Sequence, residues 1–336
     1  MHLIQSRESN VRSYSRSFPR TFTKGLGAHL FDTSGGRYID FLSGAGALNF
    51  GHNHPAIKQA VVDYMINDGV THSLDMATAA KEAFLEKFDQ TILKPRGLDY
   101  KVQFTGPTGT NAVEAALKLA RMVTQRANVV SFTNGYHGLT AGALAITGNS
   151  YYRNEAFVSR NNVSFLPFDG YFGPNVNTVE YFRKLLDDPG SGLDLPAAVI
   201  LETIQGEGGV NVARPRWLGD LARLCKEHSI LLIVDDIQVG VGRTGTFFSF
   251  EEANIVPDIV TLSKSIGGLG LPMSLVLLKP ELDHWKPGEH TGTFRGNNLA
   301  FVAATQSVSK ASRPAPEETA TINVLVESKL MCAVAG

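Results

Sequence analysis

Between residues 101 and 278 the chain repeats one pattern: a short run of aliphatic and β-branched residues, a loop, and a stretch of helical periodicity. The runs are Lys101–Phe104, Val129–Phe132, Val163–Leu166, Ala197–Leu201, Ile230–Val234, Ile259–Leu262 and Ser274–Leu278. After the first, each holds at most one polar residue, and a strand without polar alternation has to be covered on both faces. The stretches between them carry apolar residues three and four apart, as at Val113, Ala116, Leu117 and Ala120, and again over Trp217–Glu227. Strands of this kind separated by helices predict a doubly wound α/β domain on a mostly parallel sheet.

Ahead of this domain, FDTSGGRYIDF at 31–41 sets a Gly-Gly turn between two aromatic-bearing runs and predicts a small hairpin. A helix is expected over Ala56–Asn67. After about Thr305 the composition turns polar and rich in Pro, Ala and Ser, so a poorly ordered tail is expected there. The 31 basic and 32 acidic residues leave a net charge of −1, too little to direct the chain to nucleic acid or a membrane surface. Its longest apolar runs are too short to span a bilayer. The basic, Ser-rich opening lacks the apolar centre of a signal peptide. Cys225 and Cys332 make neither a disulfide framework nor a metal cluster. A soluble, cytoplasmic protein without a metal is the expectation.

In open α/β sheets ligands bind at the carboxyl ends of the strands, so the first polar groups there are the candidates for chemistry. Thr108-Gly109-Thr110 follows the first strand, and Tyr136-His137-Gly138 the second. Glu202, Gln205 and Glu207 follow AAVIL; Asp235, Asp236 and Gln238 follow ILLIV; Lys264 follows the strand ending at Leu262. GPTGTNAVEAALKLAR at 106–121 runs from a Gly/Thr loop into a helix, whose free N–H groups and dipole favour a phosphate. It is neither a Walker A nor a GxGxxG sequence, and a capped helix after a tight turn is the competing reading. Adjacent on a strand, Asp235 and Asp236 face opposite ways, so only one of them can reach a given ligand. A surface Asp pair is the plain alternative for them, and a solvated surface amine the plain alternative for Lys264. A phosphate cradle, an aromatic, a carboxylate and a lysine are together the parts needed to hold pyridoxal 5′-phosphate. The lysine would form a Schiff base, and the carboxylate would keep the pyridine nitrogen protonated.

YHG at 136–138, QGEGG at 205–209, DDIQVGVGRTG at 235–245, LSKSIGG at 262–268 and GTFRGNN at 292–298 resemble the class III pyridoxal-phosphate aminotransferases, in order and spacing. The resemblance implies fold type I of the PLP-dependent transferases. It divides the chain into an arm with part of a small domain (1–50), a large cofactor-binding domain (51–305) and a divergent tail (306–336). It implies that Lys264 forms the Schiff base, that Asp235 pairs with the pyridinium nitrogen, and that Ile237 packs on the ring. Gln238 would lie near the 3′-oxygen, Gly109 and Thr110 at the phosphate, and Tyr136 over the ring with His137 among the cofactor contacts. Thr293 would reach the cofactor of a neighbouring subunit, which implies a homodimer or higher homo-oligomer. Glu207 matches a glutamate that admits two substrates in turn, and Arg295 or Arg153 is the candidate for a substrate carboxylate.

Within the family, GAGALNFGHNHP, LETIQGEGGVNVA and KPGEHTGTFRGNNLAFV resemble the branch serving ectoine synthesis. That branch moves the amino group of L-glutamate to L-aspartate 4-semialdehyde. An ornithine- or GABA-type transaminase and a non-catalytic remnant are the other readings. Members are longer than this chain and the resemblance stops near AFVAAT (300–305), so most of the C-terminal small domain, with its carboxylate-binding arginine, is expected to be missing.

Overall fold

The computed structural model describes residues 2–311 apart from 155, 157, 158 and 160, so the expected tail lies outside the described residues beyond Ala311. Residues 306–311, expected in that tail, instead continue the helix Asn298–Ala311.

Twelve strands are described. β1 (Phe22–Leu26), β2 (His29–Asp32) and β3 (Arg37–Ile39) form a small antiparallel sheet. Its β2–β3 pair is the expected hairpin, and β1 adds a strand on the other side of β2. β4 (Lys101–Phe104), β5 (Val129–Phe132), β6 (Val163–Leu166), β7 (Ala198–Leu201), β10 (Leu231–Asp235), β11 (Ile259–Leu262) and β12 (Leu275–Leu278) make one sheet in the order β4-β12-β11-β10-β7-β5-β6. The ribbon of β8 (Ile204–Gln205) and β9 (Asn211–Val212) stands apart from it.

Six of the seven strands share a direction; β12 alone runs against both of its neighbours. The connection 263–274 explains the reversal. It holds only the turn Lys264–Gly267 and no crossover helix, and a parallel return needs such a crossover.

The face of burial alternates residue by residue along the central strands. Ile233, Ile259, Val276 and Ile200 pack with the helix Gly109–Thr124 on one face. Leu232, Val234, Val260, Leu277 and Leu201 join Phe84, Trp217 and Phe301 on the other. This two-sided burial is what strands apolar at every position require. On the second face the helices Ala79–Phe88 and Asn298–Ala311 meet through Phe84, which stacks on Phe301 at 6.1 Å. No helix among the described residues is long and apolar enough to cross a membrane.

Candidate active site

Because β4, β5, β7, β10 and β11 run the same way, the groups that follow them gather on one edge of the sheet. Asp235 ends β10 with its side chain on the face of the Gly109–Thr124 helix, while Asp236 turns to the opposite face, as the strand period demands. Asp235 is buried. Its Oδ2 accepts from His137 Nδ1 at 2.7 Å and its Oδ1 from Thr261 Oγ1 at 3.1 Å. His137 is raised above its ordinary value. Burial alone would lower it, but the hydrogen bond and charge of Asp235, helped by Glu202, outweigh that. Its Nε2 is buried and makes no hydrogen bond among the described residues.

Lys264 follows β11 in a left-handed backbone conformation, φ 54°, which is rare for a residue with a side chain and costs of order 1 kcal/mol. Its amine has no hydrogen-bond or ion-pair partner among the described residues. Burial lowers its proton affinity, against the pull of the Glu207, Asp235 and Glu202 carboxylates. Small residues before and after it, Ser263, Ser265 and Gly267, let the turn pack tightly.

The other strand ends close around this pair. Glu202, after β7, accepts from the Tyr136 N–H at 2.9 Å and the Gly206 N–H at 3.4 Å. Burial pushes its carboxyl up to about 7. Tyr136 is half-buried against Tyr152, and burial with the nearby Glu207 charge pushes its hydroxyl up to about 12. Gly109 packs so closely on Ile237 that a Cβ there would lie 2.9 Å from Ile237 Cδ1. Gln238 runs along Gly206, where a Cβ would lie 2.5 Å from its Oε1. The first N–H groups of the Gly109–Thr124 helix have no intrahelical acceptors and are available to an anion.

Other residues sit apart from this cluster or at its margin. Glu207 is exposed, although its charge acts on Lys264. Thr293 is exposed in the turn Thr293–Gly296. Arg295 pairs with Asp75 and donates to His290 O. With Lys81 and Trp285 it lines a cavity of about 620 Å³ to which neither Lys264, Asp235, His137 nor Gly109 contributes. Arg153 donates to Gly148 O at 2.7 Å and lies over the Phe165 ring.

The structure adds residues that inspection of the sequence passed over. Arg243, inside the quoted DDIQVGVGRTG stretch, is buried; it donates to Asn49 Oδ1 and Gly46 O, and its charge lowers Lys264 further. Thr261 supports Asp235, and a polar residue one position before the end of an otherwise apolar strand was the available signal.

These residues fit pyridoxal phosphate on three structural grounds. The buried amine is unpartnered, the carboxylate is backed by a histidine, and the glycine at the helix start leaves no room for a Cβ. Comparison with known proteins points the same way. The aminotransferase class-III family model matches residues 11–327. A diaminobutyrate–2-oxoglutarate transaminase of Wolinella succinogenes is 65% identical over 308 residues, 92% of this chain and 72% of that protein. One of Halalkalibacterium halodurans is 59% identical over 309 residues, again 92% and 72%. Among solved structures, the ornithine aminotransferase of Toxoplasma gondii superposes with a TM-score of 0.76 at 29% identity, over 92% of this chain and 70% of that one.

Proposed function

The chain belongs to the class III aminotransferase family, and we propose that it transfers the amino group of L-glutamate to L-aspartate 4-semialdehyde, giving L-2,4-diaminobutyrate and 2-oxoglutarate. The observation that carries the substrate assignment is 65% identity, over 92% of the chain, to a protein named for that reaction. The enzyme is PLP-dependent. Bound at this edge, the cofactor supplies an aldehyde for the amine and an electron sink for the reacting carbon.

The chain's own residues would divide the remaining work. Lys264 Nζ, whose proton affinity is lowered by burial, would be the nucleophile and would carry a proton to and from the substrate carbon. Asp235 would hold a proton on the pyridine nitrogen. His137, donating to Oδ2 of that carboxylate, would hold it in place. Gly109 and Thr110 would take the phosphate, Ile237 and Tyr136 would enclose the ring, and Gln238 would face its 3′-oxygen. Glu207, at the exposed rim, would sort the two substrates. Thr293 would serve a neighbouring subunit's site, which makes the working form a homodimer or larger homo-oligomer, acting in the cytoplasm and in ectoine synthesis. Large exposed apolar side chains, Phe294 next to Thr293 at 65% exposure and Leu74 against Gly296 of the same turn at 42%, support such an interface.

The test is a visible spectrum of the purified protein with PLP, followed by glutamate. The bound-cofactor band should appear, convert on adding glutamate and be lost in Lys264→Ala. No band in the wild type, or the same band in the variant, would refute the assignment of Lys264. Aspartate 4-semialdehyde should restore the band far better than the semialdehydes derived from ornithine or GABA; the reverse order would reassign the substrate.

A further inference from the structure

The loop 136–140 is held by three carboxylates from three separate elements. Asp235 takes the His137 side chain and Glu202 the Tyr136 N–H. The third, Glu114, is not accounted for by the roles given above. It stands on the helix Gly109–Thr124, half-buried, and its Oε1 accepts from Thr140 Oγ1 at 2.5 Å, Gly142 N at 2.8 Å and Ala143 N at 3.1 Å.

Counting hydrogens gives this contact a consequence. Oε1 already accepts from two backbone N–H groups and accepts from Thr140 Oγ1 as well, so the single hydroxyl hydrogen of Thr140 is committed to Glu114. Thr140 Oγ1 also lies 2.6 Å from Thr110 Oγ1. With its own hydrogen spent, Thr140 can only accept there, so Thr110 is the donor. Thr110 is further confined by Gly138, where a Cβ would lie 2.5 Å from its Oγ1. The hydroxyl rotor at the start of the helix is therefore set by a carboxylate one turn further on.

We infer that Glu114 is a positioning residue for the phosphate end of the cofactor site, acting through Thr140 on Thr110. The inference rests on reading Gly109 and Thr110 as the phosphate cradle, through their N–H groups at the helix start, since the Thr110 hydroxyl hydrogen is given to Thr140. One loop then spans the cofactor: His137 secures it to Asp235 at the ring-nitrogen end, and Thr140 secures it to Glu114 at the phosphate end. Cutting the second tether lets the loop drift from the helix N-terminus, where the Gly109 and Thr110 N–H groups would meet the phosphate.

The experiment titrates cofactor-free protein with PLP and, separately, with pyridoxal, which lacks the phosphate. Glu114→Ala and Thr140→Val should each weaken PLP binding by about tenfold, the scale of one charge-assisted hydrogen bond, and leave pyridoxal binding within about twofold. Glu114→Gln keeps an acceptor oxygen and Thr140→Ser keeps the hydroxyl, so both should restore most of the affinity. Unchanged PLP affinity in Thr140→Val, or equal weakening of PLP and pyridoxal, would overturn the inference. A wild-type protein that binds both ligands equally would overturn the cradle reading beneath it. Should Glu114→Ala fail to fold, Thr140→Val carries the test alone.

Discussion

Lys264 and Asp236 are both buried ionisable groups, and they differ in what surrounds them. Lys264 faces carboxylates and has no bonded partner, which suits a nucleophile. Asp236 faces the apolar side of the sheet, accepts from Ser249 N at 3.1 Å, and leaves Oδ1 without a partner among the described residues. Burial pushes its carboxyl up to about 7. Between the ordinary carboxylate range and that value the folded chain holds a proton that the unfolded chain has lost. Its contribution to stability is thus complete in acid and falls as the pH rises towards 7. Asp236→Asn, neutral at every pH, should remove about 1–3 kcal/mol of that fall, seen as a smaller drop in Tm between pH 5 and pH 8. Glu202 contributes a parallel slope, so some pH dependence should survive. At Gly109, Ala would place its Cβ 2.9 and 3.0 Å from two Ile237 carbons. Gly109→Ala should cost about 1–3 kcal/mol of overpacking, read as a lower urea midpoint and weaker PLP binding.

The elements were legible wherever a single physical signal dominated. Each expected strand of the main sheet lies within one residue of its place, because a short run dominated by aliphatic and β-branched residues has no other stable home. The reversal of β12 was not legible, since its composition suits either direction and only the connection length decides. Nor was the three-stranded small sheet, because β1 reads FTKGL, with a glycine and two polar residues. The helix Asn298–Ala311 is anchored by aromatic packing: Phe301 lies 4.9 Å from Phe104 and 6.1 Å from Phe84, between ring centroids. Phe301→Ala should therefore cost about 3–5 kcal/mol, measured as a shift in the urea midpoint with the m-value unchanged.

At the scale of the whole molecule, the proposed role of Thr293 ties cofactor binding to assembly. If a neighbour's Thr293 completes each phosphate site, bound PLP stabilises the oligomer and the oligomer tightens PLP. Apparent PLP affinity should then rise with protein concentration through the dissociation range seen by analytical ultracentrifugation. Thr293→Val should flatten that dependence while leaving the affinity of the separated chains unchanged. A constant affinity across the range would mean that each chain holds its cofactor alone.

The sequence by itself determined the architecture of the large domain and the set of strand-end residues, because burial periodicity and the carboxyl-edge rule both act locally along the chain. It also supplied the opposite facing of Asp235 and Asp236, a consequence of strand geometry alone. Tertiary structure decided which of those groups meet. His137 reaches Asp235 across 98 positions and Arg243 reaches Asn49 across 194. Arg295 is drawn to Asp75 instead of towards Lys264. Thr110 finds its orientation from Glu114 by way of Thr140, a residue on another loop. Such pairings depend on strand order and on side-chain direction in space, and no local pattern in the chain carries either.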